Sequence, residues 1–176
     1  MKRLWLILGL VVVLISLFFI VIKVTGEEKY FNKVDLSYNN VISNTINPSF
    51  YDTILSVGLD EMGIMGQTIV VSQLSDASKL QFNGELKAHI RYYNGVFYLF
   101  IDEYSRLQSI QIISHEIIHI DQYLSEQLVY ENNMVIWETQ PYDIDQLEYD
   151  NRPWERDAFD RENMLSSKIN NILYEE

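Results

Sequence analysis

The chain has 176 residues, a net charge of −12, 48% hydrophobic and 13% aromatic residues, and no cysteine. That is enough for one domain of ordinary size and too apolar for a disordered chain. The charge argues against nucleic acid or an anionic membrane surface as a partner, and the missing thiols exclude disulfides, cysteine nucleophiles and thiolate metal sites.

Residues 4–22 form an uncharged stretch of 19, preceded by Lys2 and Arg3 and closed by Lys23. This is long enough to span a bilayer and longer than a usual signal-peptide core, so residues 1–23 read as an N-terminal transmembrane anchor contacting lipid through 4–22. The leading positive pair keeps the N-terminus cytoplasmic and places the rest of the chain outside. The competing reading is a secretory signal cleaved near Gly26, where Val24-Thr25-Gly26 offers small or tolerated residues. Residues 24–47 are polar and Asn-rich, and read as a juxtamembrane linker or a poorly periodic first element. The folded domain is expected over 48–176.

Asn47-Pro48 predicts a helix start, with Phe50, Ile54, Leu55 and Val57 as its apolar set and Gly58 and Gly63 to Gly66 as breaks. The β-branched run at 68–71 predicts a strand. The segments 86–93 and 96–101 flank Asn94-Gly95, the dipeptide favoured where both central residues of a hairpin turn need positive φ. Leu86, Ala88, Ile90 and Tyr92 alternate with polar partners, whereas 96–101 is apolar almost throughout and reads as covered on both faces.

A long helix is predicted from about 106 to 128, and it carries His115-Glu116-Ile117-Ile118-His119. Residues i and i+4 lie about 40° apart on a helical wheel, so both imidazoles can address one metal ion, with Glu116 beside them as a general base. Ile110, Ile113, Ile117, Ile120 and Leu124 form a stripe almost opposite the histidines. The expected arrangement is therefore one face in the core and the His-Glu-His face towards a cleft. Tyr123 falls on the Glu116 side. Beyond the helix, 134–137 is a strand candidate, 141–151 an acidic loop, and a final helix opens at Arg152-Pro153-Trp154-Glu155 and runs to about 173. From 126 to 176 there are thirteen acidic and four basic residues. These read as a solvated surface or, alternatively, a cleft for a cationic substrate.

A catalytic zinc usually takes three protein ligands, and the candidates for the third are His89 and Glu155. The His-Glu-x-x-His motif followed by Glu155-x-x-Ala158 on a late helix resembles the gluzincin group of zinc metallopeptidases. Its small members, the ImmA/IrrE-type and SprT-like domains, are similar in their order of strands, active-site helix and late helix. The resemblance spans about 68–167. It implies an α+β, minimal zincin-like domain with a small antiparallel or mixed sheet, Zn2+ on His115, His119 and Glu155, and Glu116 as catalytic base. Phe159 stands where many gluzincins carry an acidic residue behind a ligand; Asp157 or Asp160 are the substitutes at hand. Tyr123, Tyr142 and Tyr149 are candidates to stabilise an oxyanion, as is His89.

The expected activity is hydrolysis of a peptide or protein substrate laid along an exposed edge strand, with the hairpin before the helix as the candidate. The alternatives are a non-catalytic zincin-like binding module and a zinc amidase acting on cell-wall peptide.

Overall fold

The computed structural model describes residues 39–45, 47–75, 87–102, 104–131 and 134–174. The anchor read at residues 1–23 lies outside them; among the described residues no helix is long and apolar enough to cross a membrane.

The fold is α+β, with a mixed sheet and a long C-terminal helix. In chain order it runs β1 (Asn40–Asn44), α1 (Pro48–Glu61), β2 (Thr68–Gln73), β3 (Ala88–Tyr93), β4 (Val96–Ile101), α2 (Arg106–Leu124), β5 (Leu128–Glu131), β6 (Met134–Trp137), β7 (Gln140–Asp143) and α3 (Pro153–Tyr174). The first sheet has the order β1-β2-β4-β3. β1 and β4 both run parallel to β2, and β3 returns antiparallel to β4. β5, β6 and β7 form a separate antiparallel meander.

Turn chemistry and periodicity account for most of this. Asn94 and Gly95 adopt φ of 51° and 80°, the positive values a two-residue hairpin needs. Along β4, buried Phe97, Leu99 and Ile101 alternate with half-buried Val96, Tyr98 and Phe100, so one face is sealed and the other only partly covered. This corrects the reading of 96–101 as covered on both faces. The sealed face joins Ile69 and Val71 of β2 and the isoleucines Ile110, Ile113, Ile117 and Ile120 of α2 in the core. Leu124, at the end of that stripe, is 41% exposed.

Four local expectations change. Asn40–Asn44, inside the segment read as linker, pairs with β2, so the folded unit begins before Pro48. α2 ends at Leu124 rather than about 128, because Glu126 takes a φ of 59° and turns the chain into β5. The loop read at 141–151 contains β7 and two 3-10 turns, Ile144–Gln146 and Tyr149–Asn151.

The fourth is Gly58, which does not break α1 but lies inside it, where α1 meets α2 and α3. A Cβ at this position would collide with Ile117 Cδ1 and come within 2.9 Å of Ile169 Cδ1. Both isoleucines are fully buried and have little room to yield. Gly58→Val is therefore expected to lower unfolding stability by about 1–3 kcal/mol, read from denaturant midpoints. A midpoint unchanged or raised would show that the helices can part at no cost.

Candidate metal centre

His115 and His119 stand one turn apart on α2, and their Nε2 atoms are 3.1 Å from each other. Glu155, in the first turn of α3, brings Oε2 to 3.1 Å from His115 Nε2 and 3.4 Å from His119 Nε2. These donor atoms make a nearly equilateral triangle, and each of the three residues is only 7% exposed. The histidine face is thus not an open cleft wall, as its helical phase suggested. It is covered by α3, so α2 is buried on both sides of its middle turns.

Glu155 is delivered by its neighbours. Pro153 is the first residue of α3, with its φ already set for a helix. Trp154, 1% exposed, is pinned in a cluster with Leu128, Val135 and Trp137 from the second sheet. Ala158, fully buried one turn later, adds only a methyl group at the packed surface of α3.

Each imidazole is fixed from behind. His115 Nδ1 lies 2.9 Å from Glu162 Oε2, and a carboxylate can only accept, so the ring proton sits on Nδ1. Gln111 Nε2 in turn donates to Glu162 Oε1 at 2.8 Å. His119 Nδ1 lies 2.8 Å from Gln122 Oε1. That amide is oriented because its Nε2 donates to Trp154 O at 3.0 Å and to Asp157 Oδ2 at 2.8 Å. With both Nδ1 atoms protonated, both Nε2 lone pairs point at the Glu155 carboxylate. Three acceptors then converge with no hydrogen among them, an unfavourable arrangement that a cation at their centre resolves. This buried His-His-Glu group can hold a metal ion.

Without metal, a proton takes that role. Burial alone would lower the His119 pKa, but the hydrogen bond and charge of Glu155, helped by Glu116 and Gln122, raise it to about 9. Burial pushes the Glu155 carboxyl up, yet its pairing with the His115 and His119 rings and the hydrogen bond from Tyr149 outweigh it and hold the group well below the usual carboxylate range.

The signs follow. The folded His119 pKa of about 9 exceeds the ordinary 6.5. Its contribution to metal-free stability is therefore complete below about 6.5 and is lost as the pH rises through about 9. Metal affinity runs the other way, because ligation requires the neutral ring. Metal uptake at pH 7 is expected to release close to one proton, measured from the dependence of the calorimetric enthalpy on buffer ionisation enthalpy. A release near zero would contradict the protonated metal-free state.

Glu116 is 5% exposed. Burial raises its pKa, and His119, His115 and a hydrogen bond from the Ile90 N–H partly offset that rise. Its Oε2 is buried without a hydrogen-bond partner, leaving one carboxylate oxygen free for a ligand. The Ile90 N–H belongs to β3, an edge strand among the described residues, so Glu116 sits against that margin of the sheet.

The remaining candidates separate clearly. Tyr149 Oη donates to Glu155 Oε2 at 2.6 Å, and burial together with the Glu155 charge pushes its pKa far up, so it stays a neutral donor. Tyr123 is half-buried among the rings of Tyr92, Phe97 and Tyr130. Tyr142 packs edge-on against Trp154. His89 pairs with Phe100, stacks on its ring at 4.9 Å, and so lies on the sheet face opposite Ile90 and Leu99. Burial there, with the charge of Arg91, lowers its pKa to about 4.

Phe159 packs its ring 4.7 Å from that of His115, while the acid behind this ligand is Glu162, one turn further along α3. Asp157 touches neither ligand histidine but holds Gln122, and Asp160 is exposed. Glu162 and Gln122 are the residues that sequence reasoning missed. Their spacing, seven residues after Glu155 and three after His119, was a readable signal, since both intervals return to the same helix face. No family model, curated protein or solved structure matches this chain.

Proposed function

We propose that the chain is a zinc metallopeptidase of gluzincin-like type, built on a minimal zincin-like domain. The observation that carries the reading is the donor triangle. Two atoms each about 2.0–2.1 Å from one tetrahedral zinc lie about 3.3 Å apart, and the three separations here are 3.1, 3.1 and 3.4 Å. Two imidazoles and one carboxylate suit zinc and leave a fourth position for water or substrate. When bound, zinc supplies Lewis acidity that makes water a nucleophile at neutral pH and polarises a carbonyl.

The chain's own residues do the rest. Glu116, with one carboxylate oxygen unpartnered, accepts the proton of the attacking water and delivers it to the leaving amine. Glu162 and Gln122 hold the two rings in the tautomer that ligation requires. Tyr149 fixes the Glu155 carboxylate. Among the described residues β3 is an edge strand, and its Ile90 N–H faces Glu116, so a peptide added beside β3 would run past the base. The uncharged stretch at 4–22 supports an anchor with the domain outside the cytoplasm.

The test is metal content and chelation. The purified chain should carry about one zinc, lose peptide hydrolysis to a chelator, and regain it on zinc addition. Stoichiometric zinc with no hydrolysis of a complex peptide mixture would favour a second reading. In that reading the metal is structural, which the 5–7% exposure of the four site residues would suit.

A further inference from the structure

Arg152 follows the 3-10 turn Tyr149–Asn151 and immediately precedes α3. Its guanidinium carbon lies 5.4 Å from the centroid of the Tyr149 ring, whose hydroxyl holds Glu155 Oε2. Its Nε is buried without a hydrogen-bond partner, and among the described residues no carboxylate pairs with it. In a chain with 25 acidic and 13 basic residues, that is an unexpected state for an arginine. Arg161, one helical stretch away, is gripped by both Asp121 and Asp157. A buried N–H of a charged group seldom goes unsatisfied without a role.

Tyr130 of β5 points to the same place. It is 53% exposed and stacks on Tyr123, the ring on the Glu116 side of α2. Its hydroxyl lies within electrostatic reach of Arg152, Arg91, Glu155 and Glu116 together. A guanidinium fork and a phenol, both near the triad, match one planar carboxylate, which accepts two parallel N–H bonds and an O–H bond.

We propose that Arg152, assisted by Tyr130, recognises a substrate carboxylate, so that the site takes peptides bearing either a free C-terminus or an acidic side chain close to the scissile bond. The inference rests on the peptidase reading and names its substrate class. It commits to a single carboxylate, because the net charge of −12 repels polyanions at long range while a short-range fork still binds one anionic group.

The test uses the full, zinc-loaded chain carrying Glu116→Gln, titrated with fluorescent peptides in matched pairs: free against amidated C-terminus, and internal Glu against Gln. The carboxylate member of one pair is expected to bind about tenfold more tightly. Adding Arg152→Gln should erase that difference while zinc content and the affinity of neutral peptides stay unchanged. Loss of preference on amidation identifies the C-terminus, and loss on Glu-to-Gln exchange identifies a side chain. Should Arg152→Gln lose its zinc, Arg152→Lys decides: it keeps the charge but not the fork, and the preference should fall several-fold.

Equal affinity within both pairs, or a preference that survives these substitutions, overturns the proposal. Hydrolysis of neutral peptides by the unmodified chain reports on the peptidase reading separately. If neutral peptides are cleaved without any carboxylate preference, only this inference falls; if no peptide binds or is cleaved, both fall.

Discussion

Replacing Glu116 with Gln is expected to slow peptide hydrolysis by roughly 10²–10⁴-fold while leaving one zinc bound per chain. The substitution keeps the shape of the side chain, and an amide oxygen can still accept from the Ile90 N–H that the carboxylate uses. What disappears is the basic oxygen at the buried, unpartnered Oε2 position. Neither donor geometry nor the packing of α2 depends on that charge, since Glu116 is not one of the three converging ligands. Folding and metal content should therefore match the parent chain, and turnover with a peptide substrate is the quantity that moves. Undiminished turnover would remove Glu116 from the role of base, whatever the metal content.

The legible parts of this fold are those whose cause is local. Asn94-Gly95 demands positive φ wherever it occurs between two strands, so the hairpin could be read outright. The isoleucine stripe on α2 depends only on helical phase, and Ile110, Ile113, Ile117 and Ile120 are all buried as that phase requires. Glu155 was within reach because an acid just inside a Pro-started helix, after His-Glu-x-x-His, resembles a known spacing.

What stayed hidden depends on partners far along the chain. β1 is the segment Asn-Val-Ile-Ser-Asn, in which only Val41 and Ile42 favour a strand, and β2 offers it the parallel edge it needs. Gly58 reads as a breaker unless Ile117 and Ile169 are known to press on it. The histidine face looked open because helical phase separates apolar from polar. It cannot say that a second helix covers the polar side with carboxylates of its own.

Glu155→Ala is expected to weaken zinc binding by more than about 100-fold, beyond the 10–100-fold typical of losing a group that only orients a ligand. Glu162→Ala supplies that lesser case on the same helix, because Glu162 meets His115 at Nδ1 and not at the donor atom. The ordering separates a three-ligand site from a two-histidine site with an acid nearby. If both substitutions cost the same, Glu155 is not a ligand.

The metal-free proteins give a second readout with a different sign. In the parent chain the converging acceptors raise the His119 pKa to about 9, and Glu155 is the chief cause of the rise. Without that carboxylate the burial of His119 acts with less opposition, and its pKa should fall back towards or below 6.5. Stability of metal-free Glu155→Ala should then lose most of the decline expected between pH 6.5 and 9. Competition with a chromophoric chelator measures the affinity, and denaturation across that pH range measures the linkage. Two histidines that keep both their metal and their pH dependence without Glu155 would show that the triangle does not act as one unit.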